Sequence, residues 1–270
     1  MSCVFALEGY VLLLSIQAHL IYRSEHPCDL LLQIEAAQDT EQRLQNTQFY
    51  LSPDVETSIV SGEEQVGTRR WLRVAGEFEC MSPRQVVLAR KTAVLAELAA
   101  TELRQLPSEV TKFLMPSRYC HPEDFANSVP ALFGAASGGQ LIVAMSEWIE
   151  NQFTYDSFAS HGLTTATDSF GARAGVCRDY AHVLIAMARS VGIPARFVSA
   201  YAPDVTPQDF HAVAEVYLEG QWHLVDPTGM AKASEIARIG VGRDAADVSF
   251  MTSYGSMLLK KQAVNVARSV

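Results

Sequence analysis

Basic clusters are scarce in this 270-residue chain, where 21 Lys and Arg stand against 30 Asp and Glu for a net charge of −9. Such a field repels polyanions unless a local patch overrides it. The best grouping, Arg69, Arg70 and Arg73, reads as the solvated face of one strand. Nucleic acid is therefore not an expected partner. Cysteines are few and unpatterned: Cys3, Cys28, Cys80, Cys120 and Cys177 show neither CxxC nor Cys/His metal spacing. No disulfide framework, metal or other cofactor is expected, and a reducing cytoplasm fits this usage best. No uninterrupted apolar stretch reaches the roughly 18 residues of a membrane helix, so a membrane partner is not expected either. The apolar run at residues 11–14 lacks a basic flank and follows Glu8, unlike an export signal. Residues 1–15 are read as an extension outside the fold. Compositional bias is also missing, since 49% hydrophobic and 19% charged residues are ordinary for a globular chain. The length allows one large domain or two modest ones.

What is present divides into two regions. Up to about Cys80, short β-rich runs (SIQAHLIYR, DLLLQIEAA, QFYLS, TSIVSG, RRWLRVAGEFEC) alternate with turn-forming clusters such as SPD and SGEE. This predicts an antiparallel β sandwich over residues 16–104, with QVVLARKTAV as its last strand before an irregular or helical stretch. Prolines 107, 116 and 122 break residues 105–135 into short pieces, as in a connector. Over residues 136–270 the pattern changes. Leu141, Ile142, Met145, Trp148 and Ile149 form one stripe at helical spacing. CRDYAHVLIAMARSVGIPA predicts a second, buried helix, with Gly192 placed for a left-handed C-cap and Pro194 barring continuation. ARFVSAY, HAVAEVYL and QWHLVDPT follow as strands, the last two joined by Glu219-Gly220 in a tight hairpin. The fold class is α+β.

That hairpin has a chemical consequence. If Leu218 and Gln221 flank a two-residue turn, His211 faces Thr228 and Val213 faces Asp226. His211 and Asp226 then lie diagonally on one face of the ladder. Cys177 stands where a loop enters the buried helix, so the positive end of the helix dipole favours its thiolate. Attacker, general base and orienting carboxylate are the parts of nucleophilic acyl transfer. The Cys177 N–H offers one oxyanion donor; the second is open, with Tyr155 and Gln152 in the preceding segment. Taken singly, each residue also has an ordinary reading. Cys177 could be a small core residue, His211 a strand histidine and Asp226 a turn former. His182, His223, Arg178 and Asp179 read as structural.

The runs GVCRDYAHVLIAMARSVGIPARFVSAY and DFHAVAEVYLEGQWHLVDPT resemble the transglutaminase-like superfamily, a branch of the papain-like cysteine enzymes. The resemblance implies a papain-like catalytic domain over 136–270, with Cys177 as nucleophile, His211 as base and Asp226 as its orienting partner. PSRYC at 116–120 and the β-rich region before it look like the amino-terminal β domain of one bacterial group in that superfamily. Many relatives carry Trp after the His-Ala pair, where this chain has Val213-Ala214. A peptide or other amide is the implied substrate and hydrolysis the implied reaction, as in a protease or amidase. Transfer to an amine and a non-catalytic peptide-binding module are the alternatives. Calcium, used by some animal members, finds no acidic loop of suitable spacing here.

Overall fold

In the computed structural model, which describes residues 11–269, the amino-terminal region is built on two long strands. β1 (Leu12–Leu32) and β5 (Thr68–Leu88) pair antiparallel over most of their length. Leu12, Leu14, Ile16, Ala18, Leu20 and Tyr22 alternate inward, the period of two that turns one face of a strand to a core. The register shifts between Ser24 and Cys28, near Gly76, whose φ of +78° suits glycine. This irregularity bends the ladder. Leu20 and Tyr22 on one side of it then share a core with Cys28, Leu30, Leu32, Leu72, Val74 and Phe78. Three short strands, β2 (Gln42–Gln45), β3 (Tyr50–Ser52) and β4 (Thr57–Ser61), line the other edge of β5. The antiparallel β region is present as expected. Its strands are hydrogen-bonded into one seven-stranded network, in which the long β1 and β5 run through both halves.

Residues 105–135 do not behave as a free connector. They form short helical pieces, among them α1 (Ser108–Thr111) and α2 (Ser128–Phe133), and bury Val110, Phe113, Cys120, Phe125 and Val129. The prolines interrupt regular structure, but the apolar side chains between them still dock. α3 (Gly138–Gln152) buries Leu141, Ile142, Met145 and Ile149 of the predicted stripe. A two-residue parallel bridge joins β6 (Thr154–Tyr155) to β7 (Ala174–Gly175), on either side of α4 (Ala166–Ala172). α5 (Cys177–Ser190) is buried along most of its length and ends at Gly192, φ +80°, as predicted. It packs on a four-stranded antiparallel sheet of order β10-β9-β8-β11, formed by β8 (Ala195–Tyr201), β9 (His211–Leu218), β10 (Gln221–Val225) and β11 (Ala237–Gly242).

The chain then returns to its first sheet: β12 (Met251–Ser253) and β13 (Met257–Ser269) both pair with β1. Two expected boundaries therefore move. The segment 136–270 does not belong wholly to the second unit. Nor do residues 1–15 stand outside the fold, since β1 begins at Leu12 and Leu13 pairs with both Val87 and Ser269. Residues 1–10, with Cys3, lie outside the described residues. A charged junction also ties the two sheets together. Glu215 on β9 is held between Arg196 and Arg238, Arg238 reaches Asp39 and Glu41, and Arg90 reaches Glu41. Glu41, Arg90, Glu215 and Arg238 border a cavity of about 280 Å³ near Trp222. It sits at the far part of β9 from His211, and its charges answer one another.

Candidate active site

The β9–β10 register is the one the turn demanded. Gln221 pairs with Leu218 and Val225 with Ala214, across a turn in which Glu219 and Gly220 both take positive φ, +48° and +78°. His211 and Asp226 consequently meet, with Nε2 2.9 Å from Asp226 Oδ2. Both side chains are buried. The Asp226 carboxylate is fully occupied. Oδ2 also accepts from the Ala231 N–H (2.8 Å), and Oδ1 accepts from the Thr228 N–H (2.9 Å) and hydroxyl (2.7 Å). Burial works against its charge, but His211 and Thr228 outweigh it and hold the carboxyl below the usual aspartate range.

Cys177 is the first residue of α5, and the sequence before it explains the local geometry. Val176 has no side-chain oxygen to cap the helix, so Asp179 folds back and accepts from the Val176 N–H at 2.8 Å. Gly175, with φ +156°, leaves the room; a Cβ there would fall 2.7 Å from the Asp179 side chain. Amides of a first helical turn have no partner within the helix, which leaves the Cys177 N–H directed outward. His211 Nε2 is committed to Asp226, and Nδ1, the nitrogen left for a thiol, is buried without a hydrogen-bond partner among the described residues. Burial disfavours a charged imidazole here. Hydrogen bonds from Asp226 and Cys177, with their charges, reverse that effect and raise His211 to about 10.

Tyr155 completes the cluster. Its register opposite Gly175, reinforced by the Asp156 N–H to Gly175 O bond of 2.9 Å, brings Tyr155 beside the segment that leads into Cys177. Burial first, and the charge of Cys177 second, push this phenol above the usual tyrosine range, so it remains a neutral donor. Gln152, the other candidate, ends α3 exposed, and its side chain makes no hydrogen bond among the described residues. Arg178 turns away from the thiol and donates to Ser160 Oγ (2.6 Å) and His161 O (2.9 Å), fixing the loop that carries the exposed Phe158. His182 is a packing residue: it stacks on Tyr119 and accepts from the Ala245 N–H at 3.1 Å through Nε2. His223 bonds to Leu218 O at 3.3 Å. Val213 and Ala214, where relatives place Trp, are buried in the sheet.

The two buried histidines give opposite pH dependences of stability. His211 binds its proton more tightly folded than unfolded, so its contribution is complete below about pH 6.5 and is lost as pH rises toward about 10. His182 is shifted well down, by burial first and by Arg178 and Arg189 next. It therefore costs stability once pH falls below the unfolded value of about 6.5. Thermal melts from pH 5 to 10 should show His211→Gln flattening the alkaline limb and His182→Gln the acidic one. Unchanged slopes in either variant would contradict that assignment.

Residues 125–227 match the family described as the transglutaminase-like superfamily. A crystal structure of a protein from Cytophaga hutchinsonii, described as a "putative cysteine protease", is similar over 96% of this chain and 91% of that one, with a TM-score of 0.91 and 27% identity. Among curated relatives, an uncharacterized protein of Mycobacterium leprae is 30% identical over 119 residues. One of Mycobacterium tuberculosis is 35% identical over 124 residues. The aligned stretches cover 41% and 40% of this chain, and 42% and 40% of the relatives' own lengths.

Proposed function

We propose that the protein is a cysteine-dependent amide hydrolase acting on peptides or related amides in the cytoplasm. The observation that carries this reading is the buried His211–Asp226 pair, bonded at 2.9 Å through Nε2, which leaves Nδ1 unpartnered for the thiol of Cys177 at the start of α5. In this reading the Cys177 thiolate attacks the amide carbon, and the oxygen takes the negative charge between the Cys177 N–H and the Tyr155 hydroxyl. His211 gives its proton to the departing amine as the C–N bond breaks, leaving a thioester. Water, deprotonated by the same nitrogen, then attacks the thioester carbon; the acid departs and the thiol is restored. Asp226 stabilises the imidazolium throughout. The likeness to a protein described as a cysteine protease supports this choice of reaction.

The test is product analysis on a panel of peptide amides, each incubated with and without an added primary amine. A carboxylic acid product in both conditions is the expected result. A new amide formed only with amine would move the assignment to acyl transfer. Binding without turnover by folded protein would make it a recognition module.

A further inference from the structure

The segment 156–165, between β6 and α4, is tied down on both sides of Cys177. Asp156 donates its N–H to Gly175 O at 2.9 Å, two positions before the thiol. Ser160 Oγ and His161 O accept from Arg178 at 2.6 and 2.9 Å, one position after it. The helical turn between these anchors, Ser157–Ala159, has Cα atoms within 8 Å of those of Ala174–Gly175. It therefore stands beside the amino-terminal end of α5, where Cys177 lies.

Phe158 is the middle residue of that turn and is 98% exposed. The backbone that carries it is braced. Asp156 Oδ1 accepts from the Phe158 N–H at 2.8 Å. Beyond the turn, the His161 N–H donates to Thr164 Oγ1 (3.0 Å), the Leu163 N–H to His161 Nδ1 (3.1 Å) and the Tyr119 hydroxyl to Gly162 O (2.9 Å). Thr165 and Asp168 then close a capping box at the start of α4. The Phe158 ring belongs to none of the apolar cores among the described residues. Tyr155 and Leu163 are exposed with it, so this short stretch sets three large apolar side chains in water. Burying a phenyl ring is favourable, and a braced turn that holds one out beside the nucleophile offers an apolar surface to a molecule that reaches the thiol.

We infer that Phe158 is a specificity residue, whose ring packs on a large aliphatic or aromatic side chain next to the scissile amide and so selects peptides that carry one. The inference rests on Cys177 being the reactive thiol, so the experiment reads that first. Iodoacetamide and its N-phenethyl derivative label Cys177 of the full chain. Rates are followed by mass spectrometry and divided by those of the two reagents with glutathione.

The wild-type protein should favour the phenethyl reagent. Phe158→Ala should reduce that preference roughly tenfold while changing the iodoacetamide rate less than about twofold, and Phe158→Leu should restore most of it. Neither variant should move the melting temperature, because the ring lies outside every core. Leu103→Ala removes another exposed apolar group, beside Gly192 at the far end of α5 and roughly 20 Å away, and should leave the preference unchanged. No preference in the wild type, or one that Phe158→Ala leaves unaltered, overturns the inference and leaves the hydrolase reading intact; a Cys177 inert to iodoacetamide removes both. Peptide amides with Leu, Phe or Gly on either side of the cleaved bond carry the test to turnover. Phe158→Ala should bring kcat/KM for the Leu and Phe peptides towards the Gly value, through KM. Gly peptides cleaved as fast as the others by the wild type would overturn the inference. So would a wild-type dimer that Phe158→Ala dissolves in sedimentation, which would assign the ring to a second copy of the chain.

Discussion

Cys177→Ala should leave a folded protein with no amide turnover above background, a loss of at least about 10⁴-fold. Alanine suits the first turn of a helix, and the thiol it replaces is only partly buried, so the melting temperature should move little. The same thiol should be the one that alkylates. Near pH 6 an ordinary cysteine with a pKa of about 8.5 is less than one per cent thiolate. Burial raises Cys80 and Cys120 further, both to about 12. Cys177 is the partly buried one among the described cysteines and stands at the first turn of α5. Iodoacetamide at pH 6, with peptide mapping, should find the label on Cys177, and His211→Ala should slow its attachment. Labelling of Cys28, Cys80 or Cys120 at an equal rate would contradict an activated Cys177.

Asp226→Asn should reduce turnover by about 10²- to 10⁴-fold while the protein still folds. The structure gives the reason in atoms. Asp226 accepts from the Ala231 and Thr228 amides, the Thr228 hydroxyl and His211 Nε2, and no position is left for a donor. An asparagine NH₂ on the His211 side would meet Nε2 as a donor and force the proton to Nδ1, the nitrogen that must accept one. Turned the other way, it would face the Thr228 N–H. Either arrangement leaves a buried donor unpaired, at a cost of about 1–3 kcal/mol. The variant should therefore lose both activity and some stability. Turnover within threefold of wild type would reduce Asp226 to a structural turn residue.

The hairpin was legible from its sequence because a two-residue turn and a period of two leave one register. That register alone sets His211 beside Asp226. The Cys177 helix was legible as well, from its apolar circumference and from Gly192 and Pro194 after it. Tyr155 was visible only as a neighbour in sequence. What brings it beside the start of the Cys177 helix is a two-residue parallel bridge to Gly175 across an intervening helix, and parallel pairing between distant residues leaves no mark in local composition. The pairing of β13 with β1 was hidden for a related reason. Alternation declares that a face is buried, yet it is the same whichever strand lies alongside.

Local chemistry in the sequence by itself determined which residues could react and which elements would carry them, since helix starts, turn lengths and strand periods act over a few residues. Only the tertiary structure decided the setting of those residues. β13 returns from the carboxy-terminal end to pair with β1, and through Gln262, Val266 and Arg268 it braces the segment that leads to His211. Contacts between residues some 50 to 250 positions apart depend on how the whole chain closes its cores, which no short window of sequence encodes.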